Sequence, residues 1–262
     1  MKLSLIQMNM TLGLPEENFL RAEKLIAEAM NDQPDVIVLP ETWNVGFFPK
    51  ERLSELADDD GKAVKARLGS LAKQYGVNLI AGSVANRRGE RIYNTAFVFD
   101  RQGACIAEYD KAHLFSPMGE DRYFEKGDHT TVFTLDGKRC GMLICYDIRF
   151  PEWTRTMTAA KPLDCLFVVS QWPRVRMAHL QTLGAARAIE NQMFLACCNS
   201  CGTAGDTVYG GGSYVCDPWG TVLDQAGETE QILTAELDFS TVESIRTSIN
   251  VFADRRPELY QY

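Results

Sequence analysis

The chain has 262 residues, 45% hydrophobic and 24% charged, with a formal net charge of −8. That balance suits an ordinary folded protein with a sizeable core. Its acidity and the lack of any Lys/Arg tract argue against nucleic acid or an anionic membrane as partner, and no apolar run approaches membrane-spanning length.

The opening "MKLSLIQMNM" is too interrupted for a signal peptide and reads as a first strand, so a cytoplasmic protein is expected. "PEENFLRAEKLIAEAM" starts with proline and two acids, good first-turn residues, and spaces its apolar residues for a helix. The apolar strand "DVIVLP" follows, then an amphipathic helix, "GKAVKARLGSLAKQYG", stopping at Gly76, and the buried strand "VNLIAGSV". "RIYNTAFVFD" and "ACIAEYD" flank Arg101-Gln102-Gly103 as a hairpin, and "TVFTL" and "KRCGMLIC" flank Asp136-Gly137 as another. A helix is expected from about Pro151, then the strand "LDCLFVVS", the helix "MAHLQTLGAARAIEN" and the strand "MFLACCN". "SYVCDPWGTVLDQ" turns at Pro218-Trp219-Gly220, and "QILTAELD" with a short helix near "TVESIRTSI" closes the chain. Wholly apolar strands imply burial on both faces, and no Pro/Gly/Ser linker interrupts the sequence. One layered α/β domain spanning 1–262 is expected.

Eight cysteines are present, most inside apolar runs such as "LDCLFVV" and "FLACCNS", where they act as small hydrophobes in a reducing compartment. Cys198 and Cys201 make a single CxxC spacing with no second pair and only three histidines in the chain, so no zinc site is expected.

Three strand ends carry chemistry. "GMLICYDIRFPEW" runs a buried strand into Cys145 and then turns sharply, which exposes a thiol at a sheet edge beside outward-pointing N–H groups. "DVIVLPETW" runs a strand into Glu41, and "AEYDKAHLF" sets Lys111 after another. Each has an ordinary structural reading alone: a buried cysteine, a solvated turn glutamate, a surface lysine. Together they supply a nucleophile, a base that can also return the proton, and a positive donor for a tetrahedral intermediate.

Glu, Lys and Cys at strand ends in this order resemble the triad of the nitrilase (carbon–nitrogen hydrolase) superfamily. The likeness is carried by "LPETW", "YDKAHLF" and "ICYDIRFPE", with "GSV…YNTAFVFD", "RAIEN" and "DPWG" at fitting spacings, and it covers essentially the whole chain. It implies a four-layer α-β-β-α sandwich, assembled as a homodimer through outer helices, with no metal or organic cofactor. It also implies Glu41 as general base and acid, Lys111 as oxyanion stabiliser, Cys145 as nucleophile and the Tyr146 N–H as second oxyanion donor. A second glutamate that positions the lysine and substrate matches Glu120, with Glu125 as its competitor. Trp172 in "VSQWP" is a candidate wall of the acyl site or a core residue.

Around these, Arg149 and Glu152 are expected to brace the turn as an ion pair, with Arg149 facing the substrate as the alternative, His113 to orient neighbours, and Arg187 and Glu190 to pair one helical step apart. "ETWN", "YDKAHLF" and "ICYDIRFPE" look most like the ω-amidase branch, which releases ammonia from short 2-oxo dicarboxylic ω-amides such as 2-oxoglutaramate and 2-oxosuccinamate. Arg174 and Arg176 are candidate cations for an anionic substrate. A broader aliphatic amidase or an N-carbamoyl-amide hydrolase stays open, followed by a nitrile hydrolase. So do an inert binding protein of the same fold and a Cys–His hydrolase using His113 or His179. The tail "VFADRRPELYQY" is either a packed terminus or a contributor to a partner subunit's pocket.

Overall fold

The computed structural model describes residues 1–47 and 49–260. The first half runs β1 (Lys2–Gln7), α1 (Pro15–Ala29), β2 (Val36–Val38), α2 (Leu53–Leu56), β3 (Asp58–Asp59), α3 (Lys62–Tyr75), β4 (Asn78–Arg88), β5 (Arg91–Phe99) and β6 (Cys105–Asp110). The second half begins β7 (Val132–Leu135), β8 (Lys138–Ile144), α4 (Pro151–Thr158), β9 (Cys165–Ser170), α5 (Met177–Asn191) and β10 (Phe194–Asn199). It ends β11 (Cys201–Ala204), β12 (Thr207–Gly210), β13 (Tyr214–Cys216), β14 (Val222–Gln225), β15 (Gln231–Glu236) and α6 (Ser240–Ser248).

One sheet has the order β15-β1-β2-β4-β5-β6, with β3 added to β4; the other has the order β14-β13-β10-β9-β8-β7. Alternation along the strands explains why both faces are apolar. In β2, Val36 and Val38 join the core between the sheets, whereas Ile37 packs outward with α1 and α3 residues such as Phe19, Ile26 and Leu68. On the far side, Met157 of α4 and Leu180 and Ala188 of α5 pack with the second sheet. The layers are therefore α-β-β-α, as the resemblance implied.

Within each sheet the central strands are parallel: β1, β2 and β4 in the first, β8, β9 and β10 in the second. Their C-terminal ends converge at one end of the sandwich, the place where open α/β sheets present functional groups. The expected strands and helices are present with small shifts in their ends. The exceptions are the short α2 and β3 and the hairpin β11–β12, for which no element was expected from the sequence. The hairpin's turn, Gly205-Asp206, was the available signal.

Candidate active site

Glu41 follows β2 after Leu39-Pro40. The loop is held by Gly82, whose φ of +62° lets β4 approach so closely that a Cβ there would meet the Pro40 carbonyl oxygen at 2.0 Å. Ser83 then binds the turn, its N–H donating to Pro40 O and its hydroxyl accepting from the Thr42 N–H at 2.9 Å. These contacts fix the carboxyl group in a site where Glu41 is 1% exposed.

Lys111 follows β6 and is also 1% exposed. Its Nζ donates to Glu41 Oε1 at 2.8 Å and to the two Glu120 oxygens at 2.9 and 2.8 Å. An ammonium has three N–H bonds. Its three acceptors match these three bonds, so facing a reacting oxygen requires the release of one of the two Glu120 contacts. Burial works against the charged lysine, but Glu120 and Glu41 outweigh it and hold the ammonium pKa well above its usual value. Glu120 is itself anchored by the Phe115 N–H at 2.6 Å, while Glu125 stays exposed on the surface. Asn94 of β5, a residue the sequence reading assigned no role, donates to Glu41 Oε1 at 2.9 Å and to Glu120 Oε1 at 3.3 Å.

Cys145 ends β8 and opens a short 3₁₀ turn, Cys145–Arg149. Its φ of +47° is unusual for a non-glycine residue and costs of order 1–3 kcal/mol, a sign of a constrained nucleophile-like turn. The restraint is Asp147, fully buried: one oxygen accepts from the His113 N–H at 2.9 Å and bonds its ring at 2.8 Å. The other accepts from the Ile144 N–H at 3.1 Å and the Tyr109 hydroxyl at 2.7 Å. Asp147 thus ties the nucleophile's turn to the loop carrying Lys111. Burial and the nearby Glu41 charge push the Cys145 thiol well up, with Lys111 pulling the other way. That direction favours the thiol, whose attack on an acyl carbon calls for a base at hand.

Gln171, after β9, closes the arrangement between the sheets. Its N–H donates to Glu41 Oε2 at 2.8 Å and its side chain to Glu41 O at 2.7 Å. Sequence reading missed Gln171, Asn94 and Asp147 because their importance comes from contacts across the two sheets, not from local pattern.

A pocket of about 330 Å³, its mouth included, is bounded by Cys145, Lys111, Tyr146, Gln171 and Trp172. Trp172 is 3% exposed and donates its ring N–H to Arg176 O at 2.8 Å. Arg149 and Arg176 also line this pocket. The expected Arg149–Glu152 ion pair is absent among the described residues. Arg149 instead lies 4.8 Å over the Trp172 ring and bonds His179 at 3.3 Å, because the 3₁₀ turn directs it to the pocket while Glu152 lines a separate surface basin. Arg176 stacks 5.2 Å over Phe115, and neither arginine has a carboxylate partner among the described residues. Arg174, by contrast, pairs with Glu228 at 3.4 Å.

Neither His113, held by Asp147 and stacked 3.8 Å on Phe150, nor exposed His179 lines the pocket with Cys145. Arg187 and Glu190 pair at 2.8 Å as expected. The C-terminal segment to Tyr260 borders the basin near α4 and α5, and Gln261 and Tyr262 lie outside the described residues.

The arrangement offers a thiol, a carboxyl group and an ammonium in one buried cluster, the parts needed for thioester chemistry on an acyl carbon. The carbon–nitrogen hydrolase family model matches residues 2–247. A 2-oxoglutaramate amidase of Bacillus subtilis is 44% identical over 258 residues, covering 98% of this chain and 98% of the relative. A chloroplastic omega-amidase of Arabidopsis thaliana is 33% identical, covering 94% of this chain and 70% of the relative. The solved structure of Saccharomyces cerevisiae Nit3, a member of branch 10 of the nitrilase superfamily, superposes with a TM-score of 0.90 at 28% identity, over 98% and 96% of the two chains. With the triad geometry, the layer order and a match along almost its entire length all in agreement, the chain belongs to the carbon–nitrogen hydrolase family and is a hydrolytic amidase.

Proposed function

We propose that this amidase is an ω-amidase that releases ammonia from the distal carboxamide of short 2-oxo dicarboxylic acids, 2-oxoglutaramate and 2-oxosuccinamate. The observation that carries this reading is the pair Arg149 and Arg176, two cations without carboxylate partners among the described residues, in the same pocket as Cys145 and Lys111. A neutral amide gives no reason to keep two guanidinium groups there, whereas a substrate carboxylate does. The relatives named as 2-oxoglutaramate amidase and omega-amidase support the same class.

In this reading Glu41 takes the Cys145 proton as sulfur attacks the amide carbon. The carbonyl oxygen, becoming negative, is held by the backbone N–H of Tyr146 and by a Lys111 N–H that exchanges one of its Glu120 contacts for it. Glu41 returns the proton to nitrogen as the C–N bond breaks and ammonia departs, leaving a thioester on Cys145. Water, deprotonated by Glu41, then adds to the thioester; the C–S bond breaks and the acid and free thiol are restored. Glu120 and Asn94 keep Lys111 aimed, and Trp172 walls the acyl site. All eight cysteines are free, which supports work in the reducing cytoplasm, and no helix among the described residues is long and apolar enough to cross a membrane. Exposed Ile189 on α5 and Trp219 support assembly of this single catalytic unit into a homodimer through an outer face.

The test is ammonia release from 2-oxoglutaramate, 2-oxosuccinamate, glutamine, propionamide, a carbamoyl amino acid and a nitrile, with Cys145→Ala as blank. Turnover should be confined to the 2-oxo amides. Arg149→Met should raise KM for 2-oxoglutaramate about ten- to hundredfold, the worth of a charged hydrogen bond. Equal turnover of propionamide would move the assignment to a broad aliphatic amidase.

A further inference from the structure

A second, smaller compartment of about 10 Å³, room for a single water, lies across Gln171 from the acyl pocket, since Gln171 borders both. Tyr209 of β12 forms its other polar wall. It is set there by backbone pairing, the next residue's N–H donating to Trp172 O at 3.0 Å and Tyr209 bridging Pro173. Gln171 and Tyr209 are only 2% and 4% exposed, yet Gln171 Oε1 and the Tyr209 hydroxyl have no hydrogen-bond partner among the described residues. Both Gln171 amide hydrogens are engaged, with Glu41 O and Met10 Sδ, so its oxygen is the group left over. Leaving such groups unpaired is costly, and they suit a small molecule that both donates and accepts.

No residue lining this compartment is charged: besides Gln171 and Tyr209 it is bounded by groups such as Met10, Thr203 and Ala204. That chemistry rejects a carboxylate and selects a small neutral hydrogen-bonding molecule. We infer that it is a water site serving deacylation, in which Tyr209 and Gln171 hold the water that moves past Gln171 to Glu41 and the Cys145 thioester. The inference rests on the thioester mechanism proposed above and adds to it a holding site for water on the far side of Gln171 from the amide's pocket. Tyr209 is thus a positioning residue. Burial, with the Glu41 charge next in weight, drives its phenol pKa up, so it remains a neutral donor. The step balances: water oxygen bonds to the acyl carbon, Glu41 takes one proton, the C–S bond breaks, and that proton returns to sulfur.

The experiment uses the full chain and 4-nitrophenyl acetate, whose good leaving group makes acylation fast, with Cys145→Ala as background. The nitrophenolate burst reports acylation and the subsequent steady rate reports deacylation; intact mass identifies the acetyl group on Cys145. Tyr209→Phe should preserve the burst and slow the steady phase about tenfold, the loss of one hydrogen bond to the water. Ala204→Leu, which fills the compartment while leaving the Tyr209 hydroxyl chemically intact, should do the same. A parallel fall of both phases, or no change in either variant, overturns the water site while wild-type ammonia release from 2-oxoglutaramate leaves the ω-amidase reading standing. A wild type that neither releases ammonia nor carries an adduct on Cys145 overturns both.

Discussion

The sandwich carries one cation between two carboxyl groups at each of its ends. Beyond the C-terminal ends of the parallel strands, Lys111 meets Glu41 and Glu120, with every side chain about 1% exposed. At the opposite end, Arg101 meets Asp35 and Asp136, with side chains 31%, 42% and 36% exposed. Both clusters belong to the seam between the sheets: Asp136 lies in the β7–β8 hairpin and also takes a hydrogen bond from Asn78 of β4. The charge count is the same, and burial separates them. In water an ion pair is a brace worth little. Out of water each unpaired charge is expensive, so the same three groups are held as one unit in a fixed arrangement.

Breaking the buried cluster should therefore cost far more than breaking the exposed one. Lys111→Met leaves two buried carboxyl groups without their cation. Turnover should fall below detection, and denaturant titration should show a loss of about 3–5 kcal/mol. Retained stability would mean that the Glu41–Glu120 pair finds another counter-charge. Glu41→Gln keeps the shape and removes the proposed base, but its amide sets an NH2 against one of the N–H donors that both Glu41 oxygens accept; turnover should fall by up to ~10⁴-fold, with a stability loss smaller than that of Lys111→Met. Milder still is Glu120→Gln, which keeps an acceptor for the Phe115 N–H but weakens the grip on Lys111. A fall in kcat of about ten- to hundredfold is expected, with KM nearly constant, because only the aim of the oxyanion donor is lost. A change confined to KM would reassign Glu120 to substrate binding.

The two ends also differ in how far sequence could read them. Glu41, Lys111 and Cys145 each sit where an apolar strand stops, a local signal, and the surrounding motifs tied them to one site. The layer order followed from strands apolar on both faces. Asn94, Asp147 and Gln171 were not legible because their partners lie 53, 34 and 130 residues away in sequence, across β-sheet neighbours or between the sheets. For Arg149 the preferred reading, the turn brace, fails for the same reason, and its alternative, facing the substrate pocket, is the one the structure carries. Sequence proximity suggested Glu152, whereas the left-handed φ at Cys145 turns the following 3₁₀ segment so that Arg149 reaches the pocket. The Arg101 cluster left no sequence signal at all, since it joins three loops that only the packed sheets bring together.

That exposed cluster provides the smallest effect and the sharpest control. The Asp136 carboxyl is held below its usual range by its hydrogen bond from Arg101. Asp35 is lowered too: partial burial works to raise it, but the Lys2 amide and Arg101 prevail. A carboxylate whose folded pKa is depressed contributes stability above its unfolded value of ~3.9, and loses it as pH falls through the folded pKa. Arg101→Met should thus cost up to about 1 kcal/mol at neutral pH, shrinking with added salt. The gap from wild type should narrow as the pH drops below ~4 and close only beneath the depressed folded values, where both carboxyl groups are protonated even beside the arginine. Denaturant midpoints across pH 2–7 measure this window, and kcat should stay at the wild-type value throughout the range in which the protein remains folded. A fall in kcat would mean that strain at one end of the seam reaches the Lys111 cluster at the other, and that the exposed brace is part of the catalytic apparatus after all.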